Sequence, residues 1–245
     1  MRGEDPIVLD IGTGLRFWGQ DLARDVPFRG SALVTHIHWD HVQGLPFFDP
    51  IRRPGAVLDI YGPPQDGESL SEAFDELMKP PYFPVRAQEL GGEIRFHDVS
   101  DADLAIGTAK VKVRPVPHPG PTVGYRVDWD NVSIAYISDH QEPPDRRVAD
   151  TVLELCEGVD LLIHDAQYTP AEWGEKWHWG HCTVDYAVRV ATEARARCLA
   201  LFHHDPARDD DALDRIVEHA RATANGAVGE VLAAHEGLTI AYDRP

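Results

Sequence analysis

Apolar residues fall in short runs broken by Gly, Pro and Asp-Asn clusters, the rhythm of strands and turns with helices interspersed. Pro6 to Gly14 reads as a strand running into a glycine turn, whose glycines let the loop come close to whatever lies at the strand end. Asp10 in that turn reads as a loop-fixing carboxylate rather than a direct ligand. Residues 31–35 form the next strand, followed by an apolar segment from Val42 to Phe48 read as a short helix, and then by a strand from Ala56 to Tyr61 closed by Gly62-Pro63-Pro64. Leu70, Phe74, Leu77 and Met78 have helical spacing within Glu68 to Met78, and Lys79-Pro80-Pro81 stops that helix. Tyr82-Phe83-Pro84 is then a proline-bounded aromatic loop, read either as core packing or as a wall over a site mouth.

Strands follow at Glu93 to Val99, Lys110 to Val116, Gly124 to Trp129 and Val132 to Ser138, the last two joined by the turn pair Asp130-Asn131 as a hairpin. A helix around Val148 to Glu157, a near-continuous apolar strand at Val159 to Ile163 and a long loop rich in Trp and His lead to Cys182. A helix from Val184 to Ala196 precedes a buried strand at Cys198 to Phe202. A helix from Asp211 to Ala222 then opens with acidic residues that suit its N-terminal dipole. Glu230 to Ala234 and Leu238 to Tyr242 read as closing strands. Strand runs with helices at the outside predict two sheets packed face to face with helical flanks.

The 245 residues, 43% hydrophobic, suffice for a substantial core, and we read residues 1–245 as one domain. The 41 acidic residues against 23 basic, with no basic patch or arm, argue against a surface that tracks nucleic-acid phosphates. A small anion remains compatible, because bound divalent ions reverse the local field. Cys156, Cys182 and Cys198 lack CxxC spacing and suggest a reducing compartment. With no leader pattern and no long apolar run, the expected location is cytoplasmic, without a membrane partner.

The chemistry concentrates in Thr35-His36-Ile37-His38-Trp39-Asp40-His41, which packs three imidazoles and a carboxylate behind an apolar run. Neutral imidazole is the commonest ligand for zinc-like cations, and an adjacent carboxylate adds charge. In an extended segment His36 and His38 share a face, whereas Asp40 and His41 fall past the turn and can face a second ion. A two-metal site needs further donors held at strand ends. His118 follows one strand, Asp139 another and His203 a third. Asp139 and His203 also have histidine neighbours, His140 and His204. His178 lies upstream of His181, and Trp173, Trp177 and Trp179 crowd the same loop. His97, His219 and His235 read as surface or packing residues.

The order His-x-His-x-Asp-His, then His118 ahead of Gly124-Tyr125-Arg126, then Asp139 after an apolar strand, then His203, resembles the metallo-β-lactamase-fold hydrolases. Within them it is similar to the branch of tRNase Z and the cyclic phosphodiesterases. His164-Asp165-Ala166-Gln167 is similar to that branch's His-Glu-Ala-Thr motif, with Asp for Glu, and His181-Cys182-Thr183 to its His-Ser-Thr motif, with Cys for Ser. The resemblance implies a four-layer αββα sandwich, here lacking the usual first N-terminal strand. It implies two divalent ions, zinc or else manganese or iron, one held by His36, His38, His118 and Asp139. The other would be held by Asp40, His41, Asp139 and His203, with Asp139 bridging. It further implies His181 as proton donor, oriented by Asp165, and Asp40 orienting a metal-bridging hydroxide for in-line attack.

The expected activity is therefore hydrolysis of a small phosphodiester or nucleotide, cyclic ones included. Hydrolysis of a carboxylic ester, lactone or thioester is the alternative, because the same hydroxide attacks carbonyls. RNA 3′-processing is weaker without a basic arm, and a metal-bound sensor lacking turnover is a further class. A short N-terminus with an uncovered sheet edge predicts a homodimer.

Overall fold

The computed structural model describes residues 5–242, so the expectation about a strand missing at the N-terminus touches residues 1–4, which lie outside the described residues. The chain divides into two compact units, one ending at Ser100 and the other beginning at Asp101. Each is built on its own sheet, of four and seven strands.

The first unit carries β1 (Ile7–Leu9), α1 (Gly14–Asp21), β2 (Arg29–Leu33), α2 (Trp39–Val42), β3 (Val57–Gly62), α3 (Leu70–Leu77) and β4 (Glu93–Asp98). Its strands pair in sequence order and all run parallel. Parallel pairing sends every carboxyl end to one edge, so the loops after β1 and β2 meet there: the Asp10 N–H donates to the Leu33 carbonyl at 2.9 Å. α3 forms where the spacing predicts, started by a capping box in which Ser69 and Glu72 satisfy each other's backbone N–H groups. The helix expected at 42–48 begins earlier. It is the single turn α2, followed by a 3₁₀ turn at Leu45–Phe47, which puts Asp40 and His41 within the helix.

In the second unit the strands are β5 (Ala102–Ile106), β6 (Ala109–Pro115), β7 (Val123–Trp129), β8 (Val132–Ile137), β9 (Leu161–Asp165), β10 (Cys198–Phe202) and β11 (Glu230–Ala233). Its helices are α4 (Asp150–Cys156), α5 (Pro170–Lys176), α6 (Val184–Glu193) and α7 (Asp210–Ala224). β5 to β8 form an antiparallel meander, and β8, β9, β10 and β11 continue it in parallel. The hairpin between β7 and β8 turns at Asp130 and Asn131, both in the left-handed region (φ 50° and 64°), which is the geometry a two-residue turn of this kind requires. Leu162, Leu199 and Leu201 from the sheet pack with Val152, Leu155, Val190 and Ala191 from the helices in the main core.

Three elements were not legible from the apolar pattern. α1 and α5 are short, and α5 buries none of its residues, so no apolar stripe announces it; only its Thr169-Pro170-Ala171-Glu172 capping box does. β5 is an edge strand with no fully buried position. The strand expected over Leu238–Tyr242 does not form. Its alternating Leu238, Ile240 and Tyr242 stay more than a third exposed and join no ladder. Among the described residues no helix is long and apolar enough to cross a membrane.

Phe48 anchors the core of the first unit just past α2: 1% exposed, it stacks on Trp18 at 5.9 Å and meets Phe28 edge-on at 5.0 Å. Phe48→Ala should lower the unfolding free energy by about 3–5 kcal/mol, read as a shift of the urea midpoint at unchanged slope.

Candidate metal centre

In the first unit the donors are set by one buried carboxylate. Asp10, held at φ 54°, accepts the Thr35 N–H at 2.7 Å and the Thr35 hydroxyl at 3.0 Å, and pairs with His41 Nδ1 at 2.7 Å. It fixes the loop, as the sequence suggests. Proton bookkeeping then settles which ring nitrogen can ligate. The single Thr35 hydroxyl proton goes to Asp10, so the contact of 3.1 Å between Thr35 Oγ1 and His36 Nδ1 has the ring donating. His41 likewise donates from Nδ1 to Asp10. Both rings therefore turn Nε2 to the side where a metal could be held, the arrangement in which an outer hydrogen bond fixes the tautomer of a metal-binding histidine. The His36 and His38 ring centroids lie 4.4 Å apart, those of His36 and His41 4.2 Å, and Asp40 Oδ2 sits 3.2 Å from His41 Nε2.

Close backbone crossing makes this possible. A Cβ on Gly12 would sit 2.4 Å from the Asp40 carbonyl oxygen, and the Ile11 N–H donates to the His41 carbonyl at 2.8 Å. The glycine turn after β1 is thus the seat on which α2 rests.

In the second unit the donors follow β6, β8, β9 and β10, whose carboxyl ends share one edge because β8, β9 and β10 are parallel and β6 runs with them through β7. This is where ligands gather on sheets with parallel strands. Asp139 is 3% exposed, with His118 Nε2 4.0 Å from its Oδ2 and His203 Nε2 3.6 Å from its Oδ1. Asp139, His181 and His203 offer ligand atoms that all lie within 4.8 Å of one another. His118 donates from Nδ1 to the Gly180 carbonyl at 2.7 Å, again assigning ligation to Nε2. His203 stands at φ 55° with its Nδ1 2.9 Å from the Gln167 amide. The amide atom facing the ring is Gln167 Nε2, so this contact, unlike those of His41 and His118, does not fix Nε2 of His203 as the ligating nitrogen.

Asp165, fully buried, accepts from three directions: the His140 N–H at 3.1 Å, the Gln167 N–H at 2.9 Å and His181 Nδ1 at 2.9 Å. The shorter Asp reaches His181, and the Cys182 thiol donates to the Asp165 carbonyl at 3.1 Å in the place of a serine hydroxyl. Burial, with Asp165 close by, holds that thiol well above the ordinary range, so it stays protonated. His181 stacks on His203 at 4.8 Å.

One contributor, Glu142, has no sequence signal of its own, and His140 and His164 act around the site rather than in it. Buried Glu142 accepts the Thr183 N–H at 3.2 Å and its hydroxyl at 2.8 Å, pinning the segment that carries His181. His140 donates from Nδ1 to His164 Nε2 at 3.1 Å, and His164 donates onward to the Asp165 carbonyl at 2.7 Å. Burial keeps both rings neutral and their pKa values below the usual histidine value. His204 joins no donor cluster among the described residues, His178 is exposed, and His97 and His219 pair at the surface with Asp59 and Asp185. Trp177 and Trp179 are exposed, and Lys176 lies over the Trp179 ring at 5.7 Å.

Residues 7–204 match the family model of the Beta-lactamase superfamily domain. The chain belongs to that superfamily. Ribonuclease Z of Halobacterium salinarum is 34% identical over 162 residues, taking in 63% of this chain and 46% of that protein, so the chain spans about half its relative's length. Among solved structures, the metallo-β-lactamase fold protein YhfI from Bacillus subtilis superposes with a TM-score of 0.73 at 20% identity, covering 97% of this chain and 88% of that one. A diphosphatase from the PhnP family gives 0.71 at 20% identity, covering 100% and 83%. The mixed α/β fold with two sheets is that of these superfamily neighbours.

Gly180 (φ 93°) leaves no room for a side chain: a Cβ would lie 2.4 Å from the His118 ring. Gly180→Ala should weaken metal binding about 10–100-fold in a chelator competition, as loss of an outer-shell partner does, while the far-ultraviolet spectrum is kept. A second expectation concerns acid. His164 is neutral when folded and titrates at its ordinary value when unfolded, so its contribution is complete above about pH 6.5 and is lost as pH falls below it. Thermal midpoints should drop below that pH, and less steeply in His164→Asn.

Proposed function

We propose that this chain is a binuclear metal-dependent phosphodiesterase acting on a small phosphodiester or nucleotide, cyclic ones included. The observation that carries the reading is His181, held through Nδ1 by the buried carboxylate of Asp165 and placed beside Asp139 and His203. A histidine fixed in this way is a proton donor whose imidazolium is stabilised by its partner, which an alkoxide leaving group needs. The ribonuclease and diphosphatase names among its relatives support phosphorus as the reaction centre.

His36, His38, His118 and Asp139 would hold one divalent ion, and Asp40, His41, Asp139 and His203 the second. Their nitrogen and oxygen donors suit zinc, and also manganese or iron. Two such ions, when bound, supply Lewis-acid stabilisation of the phosphoryl oxygens and a nucleophile at neutral pH. Asp40, with its carboxylate on the first turn of α2, accepts a hydrogen bond from the attacking water and aligns it. His181 delivers its Nε2 proton to the departing alkoxide. Asp165 holds the ring in the tautomer that allows this and stabilises the cation beforehand; its own bonds to the His140 and Gln167 N–H groups keep it from turning. The three cysteines are buried and free, in keeping with a cytoplasmic setting.

The test is cleavage of bis(p-nitrophenyl) phosphate beside p-nitrophenyl acetate and a lactone, with metal content measured on the same sample. We expect phosphodiester turnover that disappears in Asp139→Ala together with bound metal. Ester or lactone turnover alone would replace the proposal with a carboxylic ester hydrolase. His181→Ala should keep its metal and lose about 10²–10⁴-fold on a diester with an alkyl leaving group. It should lose far less on the p-nitrophenyl diester, whose leaving group departs without a proton. An equal loss on both would remove His181 from the role of acid.

A further inference from the structure

α2 presents two kinds of surface. Asp40 and His41 belong to the donor set, while Trp39, Val42 and the following Gln43 line a separate cavity of about 310 Å³ within the first unit. Its floor is apolar and closed by Phe74 and Met78, which are 1% and 4% exposed. Its rim is made of rings that the fold leaves open to water: Trp39 is 69% exposed, Phe47 57% and Tyr82 76%. Phe83 continues the wall, edge-on to Phe47 at 6.3 Å. In the aromatic loop Phe83 is packed on the core, as the first reading expects, and Tyr82 is turned outward.

Three exposed rings gathered on one hollow carry a cost that isolated surface aromatics do not, and such patches mark binding sites. The volume lies at the lower end of small-ligand pockets, enough for one ring system and too small for a folded partner. No lysine or arginine lines it, and the Glu76 carboxylate at its edge is paired with the Lys79 ammonium, so the lining itself offers a phosphate no cationic donor. What the walls offer is flat π surface for stacking, and from Gln43 one amide that can donate and accept at a ring edge. A branched or acyl group would fill the volume but leave the amide and the ring faces unused. We infer that this cavity takes the nucleobase of a nucleoside phosphodiester whose phosphate is held by the donors of the adjoining helix. The inference rests on the phosphodiesterase reading above and narrows it to nucleotides.

Trp39→Ala and Tyr82→Ala remove exposed rings and should leave the thermal midpoint in place. Each is assayed on a cyclic adenosine monophosphate and on a ribose cyclic phosphate that lacks the base. The ratio of kcat/KM for the nucleotide over the base-free diester should fall about ten-fold in Trp39→Ala, through KM, the scale of one lost base stack. An unchanged ratio would overturn the inference. A second arm needs no turnover: adenosine, which carries no phosphate, is titrated calorimetrically into the metal-loaded wild-type protein and into Trp39→Ala. Binding that the substitution abolishes supports the pocket even if no phosphodiester is cleaved, in which case the hydrolase reading alone falls. Binding of hexanoate with none of adenosine would overturn the inference in favour of an acyl site.

Discussion

The direction of the strands is the constraint on which the chemistry depends. β8, β9 and β10 are parallel neighbours, so Asp139, Asp165 and His203 leave the sheet side by side, at spacings set by ladder hydrogen bonds rather than by loop conformation. Side chains placed that way need only short outer contacts to reach their final geometry. The Asp165 carboxylate supplies several at once, tying the segments after β8, after β9 and before α6 to a single pair of oxygen atoms. The first unit repeats the device on a smaller scale, with Asp10 joining the loops after β1 and β2. Each unit thus has one buried carboxylate whose partners include backbone N–H and a histidine.

Much of this was legible in the residues. The histidine-rich heptad, the donors stationed after apolar strands and the His-Asp and His-Cys-Thr motifs are patterns of chemistry, and chemistry survives translation into a string. Strand periodicity was equally visible where strands are buried on both faces, as at Cys198–Phe202. What escaped depends on contacts between residues remote in sequence. Gly180 matters because of where the His118 ring lies, and Glu142 because it meets Thr183; nothing local to either position reports this. The same holds for Leu238–Tyr242, whose alternation is that of a strand but whose neighbourhood offers no ladder to join.

The tautomers are a related lesson. Where the Nδ1 partner of a ring is a main-chain carbonyl or a carboxylate, as for His118 and His41, Nε2 is the nitrogen left to face a metal, and that choice is made by atoms outside the donor clusters. The candidate donors are thus few, and many more residues hold imidazoles in one protonation pattern. His140 and His164, which serve neither as expected ligand nor as acid, belong to this scaffolding of neutral rings.

His203 adds a consequence for how such a centre can drift over evolutionary time. It holds a left-handed backbone, φ 55°, directly after β10, a region that β-branched and bulky side chains strongly disfavour. Asn, Asp and Gly enter it at lower cost, and of these only Asp brings a charged metal ligand. His118 and Asp139 carry no such backbone restriction among the described residues. For the metal ligand proposed at position 203, torsional strain thus favours the few donor residues that tolerate a left-handed backbone, histidine and aspartate among them.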